Sequence, residues 1–124
     1  MHGNTVGIIE SDAQFRRALE RVLVAHGYAP VSFESGRAYL DSDVHAGITC
    51  LLVDADMSIG DGPGLYARLY SVSSHIPLIF MTAYPAKFVA ARAYALGAVD
   101  VLEKPFGATV LMEVMERVRV PVLS

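Results

Sequence analysis

Polar side chains follow several short apolar runs of the sequence, and their types suit the binding of charged groups. Glu10 follows the first run, Asp54 and Asp56 follow the third, Thr82 follows the fourth, and Lys104 ends the fifth. Carboxylates can hold a hard divalent cation or act as a nucleophile. A lysine supplies a positive point charge, and a threonine hydroxyl supplies a hydrogen-bond donor. If folding brings these residues together, they form a site that can receive an anionic group.

Each of these residues also suits an ordinary structural role. Asp54 at a strand end can cap a loop, and Lys104 can be a solvated turn residue.

Cys50 lies in an apolar run and is predicted to be a small core residue. The histidines lie in or beside predicted turns without the spacing of metal ligands, so we predict that all four are surface residues. They are His2, His26, His45 and His75.

Five apolar runs have the length of β-strands, and most lack polar alternation, which predicts burial on both faces. They are Val6–Ile9, Ala29–Phe33, Ile48–Val53, Pro77–Met81 and Asp100–Glu103. Apolar residues recur at the spacing of a helix face in two other segments. They are Phe15, Ala18, Leu19, Val22 and Leu23 in one, and Leu111, Val114, Met115 and Val118 in the other. Further helices are predicted over Ser35–Leu40, Gly62–Ser71 and Ala86–Leu96.

The regular alternation of strands and helices predicts a doubly wound α/β domain with a parallel sheet and helices on both faces. In such sheets, ligands bind beyond the carboxyl ends of the strands. The candidate polar residues all come at the ends of apolar runs, so we expect them at one edge of the sheet.

Composition excludes several classes of protein. The chain has 124 residues, 53% of them hydrophobic, with a mean hydropathy of +0.40, so a disordered chain is excluded. The net charge of −3 lacks the basic character of a nucleic-acid-binding surface. No apolar run approaches the ~18 residues of a membrane span, and no signal peptide is evident. With a single cysteine, no disulfide framework is possible, and we expect a cytoplasmic protein.

Four segments of the sequence resemble the response-regulator receiver domain of two-component signalling. They are Val53-Asp54 with Met57 and Gly62, Met81-Thr82-Ala83, Gly97-Ala98, and Glu103-Lys104-Pro105-Phe106. The resemblance covers nearly the whole chain. It implies a flavodoxin-like (βα)5 three-layer sandwich with the parallel strand order 2-1-3-4-5. It also implies one receiver domain over residues 1–124, with a core at about 5–118 and the start of a linker at 119–124.

The resemblance implies that Asp54 accepts a phosphoryl group from a sensor histidine kinase or a phosphotransfer protein, and that hydrolysis later removes it. Asp54, Thr82 and Lys104 would be the catalytic residues, and Mg²⁺ would be the cofactor. The domain would be a signalling module, with self-catalysed phosphorylation and dephosphorylation as its only catalysis. A transcriptional output domain and a homodimer are further expectations. The output or dimer surface would be the fourth and fifth predicted helices with the fifth strand, over Ala86–Val118.

The metal site departs from the family pattern. Receivers normally carry two acidic residues after the first strand, but here the positions hold Glu10 and Ser11. Serine lacks the carboxylate ligand, so we expect weak Mg²⁺ binding by Glu10, Asp54 and Asp56. Asp56, through its backbone or side chain, could partly replace the ligand or could repel the phosphoryl group, and Asp12 could also contribute. Ser11 with Gln14 also fits a capping box for the first helix.

A second departure concerns the switch. Receivers usually carry an aromatic residue at the position of Val101, which rotates when the threonine corresponding to Thr82 moves. With Val101, signalling would have to pass through the backbone after Thr82.

Two other functions remain open at this point. A degenerate receiver would bind partners without being phosphorylated, and Ser11 and Val101 would mark its lost chemistry. A phosphohydrolase similar to the haloacid dehalogenases is suggested by Asp54-Ala55-Asp56, although that family places its nucleophile on the first strand and needs a later acidic pair. Nothing after Lys104 except Glu113 and Glu116 could provide that pair.

Overall fold

A computed structural model describes residues 4–43, 47–56 and 76–118, together with Arg68 and Ser71. The strands are β1 (Thr5–Ile9), β2 (Ala29–Phe33), β3 (Cys50–Asp54), β4 (Leu78–Thr82) and β5 (Ala98–Glu103). The helices are α1 (Ala13–Ala25), α2 (Gly36–Leu40), α3 (Ala86–Ala95) and α4 (Ala108–Val118). The helix predicted over Gly62–Ser71 lies outside the described residues, apart from Arg68 and Ser71, which are helical.

The strands form one parallel sheet in the order β2-β1-β3-β4-β5. This confirms the predicted strand order and the α/β fold. Because all the strands run in one direction, their carboxyl ends meet at a single edge. Glu10, Asp54, Thr82 and Lys104 lie at or just beyond those ends.

Alternating residues of the central strands enter two separate cores, which explains why the strands lack polar alternation. One core, on the side of α1 and α4, contains Ile8, Leu52 and Met81. The other, on the side of α2 and α3, contains Ile9, Val53 and Phe80. The central strand β3 is buried throughout. The edge strands β2 and β5 are only partly buried, so the prediction of burial on both faces was wrong for these two.

The start of α1 differs from the predicted capping box. Asp12, not Ser11, is the N-cap, and its Oδ1 accepts hydrogen bonds from the N–H groups of Gln14 at 2.9 Å and Phe15 at 3.2 Å. The prediction for Ser11 was wrong because the helix begins at Ala13, so the capping position falls one residue later.

Strand boundaries also moved by one or two residues. β3 runs over Cys50–Asp54 instead of Ile48–Val53, so Asp54 belongs to the strand. β5 begins at Ala98, directly after Gly97, whose φ of 100° ends the preceding helical segment. None of the helices in the described part of the chain has the length and hydropathy needed to cross a membrane.

Candidate functional site

Side-chain alternation places three charged residues on the same side of the sheet edge. Side chains alternate along a strand, so Glu10 and Asp54 point to the same side as Ile8 and Leu52, which is the side of α1 and α4. Lys104 points to this side as well. The Lys104 Nζ donates to Glu10 Oε1 at 2.9 Å and lies 3.5 Å from Asp54 Oδ1. These residues are far apart in the sequence and meet because β1, β3 and β5 end at one edge.

The charged group is mostly shielded from water. The side chain of Glu10 is 1% exposed, that of Asp54 is 8% exposed and that of Lys104 is 17% exposed. The ammonium also lies 4.6 Å from the centroid of the Phe15 ring on α1, a cation–π contact that sequence reasoning missed. Phe15 was predicted only as an apolar helix residue, and its spacing carries no signal for this contact.

Burial and neighbouring charges shift the pKa values of two groups. Burial, with the nearby Glu10 carboxylate, raises the pKa of Asp54 to about 6, although the Asp56 N–H and Lys104 oppose the rise. Burial lowers the pKa of Lys104, but the hydrogen bond to Glu10 and the charge of Asp54 outweigh it and leave the pKa above its ordinary value. Lys104 therefore stays cationic at neutral pH, while Asp54 is ionised mainly above about pH 6.

Thr82 belongs to the other side of the sheet, because it continues the alternation of Leu78 and Phe80. Its buried hydroxyl donates to Asp56 Oδ1 at 2.8 Å, and the N–H of Ala83 donates to Asp56 Oδ2 at 2.6 Å. The Asp56 N–H in turn donates to Asp54 Oδ1 at 2.9 Å. Thr82 is therefore linked to Asp54 through Asp56.

The contact between the Asp56 carboxylate and the two donors of the loop after β4 was not among the two roles expected for Asp56. Part of this contact could have been predicted from the sequence, because strand alternation already places the Thr82 and Asp54 side chains on opposite sides of the sheet. No sequence pattern predicts the path of the turn after Asp54, which directs the Asp56 side chain towards Thr82 and Ala83.

The carboxylates at the sheet edge are the candidate ligands for Mg²⁺, which needs several oxygen ligands in near-octahedral geometry. Glu10 and Asp54 face Lys104, and Asp56 faces Thr82 and Ala83. Among the described residues, no group of three or more His, Cys, Asp or Glu side chains could hold a metal ion. As arranged, Asp56 is held by Thr82 and Ala83, so of these three residues only Glu10 and Asp54 could offer carboxylates to the ion, and no chemical step is assigned to it.

The remaining candidate residues lie as follows. Ser11 and Asp12 are exposed, and the Asp12 carboxylate is used by the helix cap. Val101 is partly buried and packs against the core on the α2 and α3 side. His26 is exposed as predicted, whereas His2, His45 and His75 lie outside the described residues. Cys50 is buried as predicted, and burial raises the pKa of its thiol to about 12.

The peptide bond between Lys104 and Pro105 is cis. The Lys104 N–H donates to the Thr82 carbonyl oxygen at 2.7 Å, which joins the ends of β4 and β5.

Comparison with known proteins gives consistent matches. The family model described as "Response regulator receiver domain" matches residues 6–116. The transcriptional regulatory protein FixJ of Bradyrhizobium diazoefficiens is 34% identical over 99 residues, which cover 80% of this chain and 48% of FixJ. The DNA-binding transcriptional regulator NtrC of Klebsiella pneumoniae is 34% identical over 110 residues, which cover 89% of this chain and 24% of NtrC. The chain thus spans about half the length of FixJ and about a quarter of NtrC.

Solved structures agree with these matches. Full-length FixJ from B. japonicum has a TM-score of 0.79 and 31% identity, covering 95% of this chain and 58% of that protein. The chemotaxis protein CheY4 of Vibrio cholerae has a TM-score of 0.82 and 22% identity, covering 95% of this chain and all of that one (100%). The likeness to CheY4 shows the fold alone.

Proposed function

The chain belongs to the response regulator receiver domain family of two-component systems, and from this membership we propose that it accepts a phosphoryl group on Asp54. Receiver domains are signalling modules and not enzymes in the ordinary sense. The observation that carries the proposal is the buried Asp54 carboxylate at the sheet edge, 3.5 Å from the Lys104 ammonium. The donor would be a phosphohistidine of a sensor histidine kinase or of a phosphotransfer protein in the cytoplasm.

The residue types at the edge support this chemistry. An Asp54 oxygen would attack phosphorus, forming a P–O bond as the P–N bond to the donor histidine breaks, and the histidine nitrogen would take a proton from solvent. Lys104 would balance the negative charge of the transferred group. The Thr82 hydroxyl and the Ala83 N–H would donate to its oxygens. Hydrolysis would later cleave the same P–O bond and restore the carboxylate.

We also propose that Mg²⁺ binds weakly, because Ser11 stands where receivers carry a carboxylate ligand. Ser11→Asp should raise Mg²⁺ affinity about tenfold by adding a charged oxygen ligand, as measured by isothermal titration calorimetry. Ser11→Asn, which adds similar bulk without a charge, is the matched control and should leave the affinity nearly unchanged. Equal affinities for the native protein and Ser11→Asp would contradict the prediction.

For the output, we propose the surface formed by α3, β5 and α4, called here the output face. It carries the exposed side chains of Phe88, Tyr94 and Val99. Exposed apolar side chains of this kind can be covered by a protein partner or a second copy of the chain. The transcriptional regulators FixJ and NtrC support a transcriptional output in the complete protein. We expect no direct contact with nucleic acid by this domain, whose net charge is −3.

The phosphoacceptor proposal is tested with a small-molecule phosphodonor, Mg²⁺ and intact mass spectrometry. The native protein should gain the mass of one phosphoryl group, and Asp54→Asn should gain none. Asp41→Asn, which removes an exposed carboxylate after α2, is the control and should still be modified. If the native protein gains no mass, the proposal fails and the chain acts as a phosphorylation-independent interaction module.

A further inference from the structure

The donors assigned above to the phosphoryl oxygens already hold an anion of the protein itself. The Asp56 carboxylate accepts the Thr82 hydroxyl through Oδ1 at 2.8 Å and the Ala83 N–H through Oδ2 at 2.6 Å. Hydrogen bonds to an ionised acceptor are stronger than neutral ones, and this carboxylate engages both donors at once. Its two oxygens therefore take the places available to two oxygens of an incoming group.

The surrounding hydrogen bonds fix the direction of the Thr82 contact. The N–H of Tyr84 donates to Thr82 Oγ1 at 3.1 Å, so the Thr82 oxygen acts as an acceptor there and its own proton points to Asp56. The backbone on the other side is also fixed, because the Asp56 N–H donates to Asp54 Oδ1 at 2.9 Å. The loop after β4 is thus organised around the Asp56 carboxylate.

We propose that Asp56 is an internal competitor of the phosphoryl group, which holds the Thr82 and Ala83 donors until phosphorylation of Asp54 displaces it. This inference rests on the phosphoacceptor role proposed for Asp54. It assigns Asp56 a role that neither metal binding nor simple charge repulsion describes, because the contact is a specific pair of hydrogen bonds.

Competition of this kind has two consequences. An anion can use both donors only in molecules in which the Asp56 carboxylate has moved away from Thr82 and Ala83. The apparent affinity for the anion is therefore the intrinsic affinity multiplied by the fraction of such molecules. The loop from Thr82 to Tyr84 is also held by a carboxylate before phosphorylation, so phosphorylation replaces one anion with another. Asp56 therefore lowers the rate of phosphorylation and reduces the change of loop conformation that phosphorylation causes.

The contact itself is tested without any phosphodonor. In ¹⁵N-labelled protein, the amide proton of Ala83 should move upfield in Asp56→Ala, because it loses a charged acceptor. Glu34→Gln is the matched control, since Glu34 is an exposed carboxylate that follows β2 at the same sheet edge. It should leave the Ala83 amide in place. An Ala83 amide that does not move in Asp56→Ala would overturn the proposal.

Competition is then measured by titrating inorganic phosphate while following the same amide. Asp56→Ala should bind phosphate about tenfold more tightly than the native protein, and Glu34→Gln should change the affinity by less than about twofold. Equal affinities of the native protein and Asp56→Ala, or no binding to either, would overturn the proposal. Asp56→Asn removes the charge of the side chain but keeps its shape. Its phosphate affinity should lie between those of the native protein and Asp56→Ala.

The same variants distinguish this proposal from the phosphoacceptor role. With a small phosphodonor, Asp56→Ala should be phosphorylated about tenfold faster than the native protein, and an equal rate would count against competition. If no variant is phosphorylated at all, the role of Asp54 fails, while the Ala83 shift and the phosphate affinities still decide whether Asp56 occupies the donors.

Discussion

At the scale of single residues, the central feature is one ammonium that faces two buried carboxylates. Lys104 contacts Glu10 at 2.9 Å and Asp54 at 3.5 Å. Both carboxylates are largely removed from water, so they depend on this cation for their stability as charged groups. The arrangement keeps a positive charge beside Asp54, because Lys104 remains cationic in it.

Replacing the lysine tests this dependence. Lys104→Met, which keeps an apolar stem over Phe15, should lower the free energy of unfolding by about 2 to 4 kcal/mol at pH 8 because two buried charges lose their partner. The loss should be smaller at pH 5, where Asp54, with a pKa of about 6, becomes neutral. Urea denaturation at both pH values measures the effect.

The control is Arg117→Met. Arg117 pairs with Asp100 at 2.7 Å, but its side chain is 62% exposed, so its loss should destabilise the protein much less than the loss of Lys104. Equal costs for the two variants would show that burial does not strengthen the Lys104 pair.

The raised pKa of Asp54 predicts a pH-dependent stability. Because the pKa is raised from 3.8 to about 6, the stability it contributes is fully present below about pH 4 and is lost as the pH rises through 6. Asp54→Asn removes the ionisation, so the free energy of unfolding of this variant relative to the native protein should be higher at pH 8 than at pH 4, by about 1 to 3 kcal/mol.

Thermal and urea denaturation of Asp54→Asn at the two pH values check this expectation, with Asp41→Asn as the exposed control. The prediction fails if the relative stability of Asp54→Asn is the same at pH 4 and pH 8, or if Asp41→Asn shows an equal difference.

At the scale of secondary structure, the close packing of β1 against β3 depends on a glycine. A Cβ added at Gly7 would lie 2.7 Å from Leu51 Cδ1 and 3.1 Å from Ile48 Cδ1. Both neighbours are buried in the core on the α2 and α3 side, so they have little room to move. The absence of a side chain at Gly7 lets this face of the sheet close, which helps to hold the strand ends that carry the site.

Gly7→Ala should therefore lower the free energy of unfolding by about 1 to 3 kcal/mol through overpacking, as measured by urea denaturation. Gly47→Ala is the matched control, because nothing lies within 4 Å of a Cβ at Gly47. It should be nearly neutral. Similar effects at both glycines would show that Leu51 and Ile48 move aside without cost.

At the scale of the whole molecule, several of the exposed apolar residues lie on the output face. The Phe88 side chain on α3 is 73% exposed, and Tyr94 and Val99 are also exposed on or beside this helix. On the same output face, Arg117 already pairs with Asp100 within the chain. Arg117 and Asp100 thus neutralise each other within the chain, and the apolar side chains are the better candidates for contact.

If the output face forms a homodimer, Phe88→Ala should weaken self-association of the phosphorylated protein about tenfold or more, as expected for a buried aromatic anchor. Analytical ultracentrifugation of the phosphorylated protein measures the dissociation constant. Val24→Ala, which shortens an exposed apolar side chain at the end of α1, is the control and should have little effect. A dissociation constant unchanged by Phe88→Ala would place the interface elsewhere.

Much of the fold was predictable from the sequence. Apolar runs alternating with helix-spaced segments require a parallel sheet with helices on both faces, and the sheet order confirms the one implied by the resemblance. Exact boundaries were less predictable, because capping depends on where the chain first closes a helical turn. Asp12 therefore caps α1 where Ser11 was expected.

The residues that reach the carboxyl edge follow from the order of residue types along the chain, because every strand of a parallel sheet ends at that edge, whatever the details of packing. The sequence also predicts weak Mg²⁺ binding, since Ser11 carries no carboxylate. Which group faces which partner at that edge is visible only in the folded chain. Strand alternation sends Thr82 to one side and Asp54 to the other, and the turn after β3 directs Asp56 onto Thr82 and Ala83. These directions depend on backbone geometry over a few residues from different strands, which no local pattern of residue types encodes.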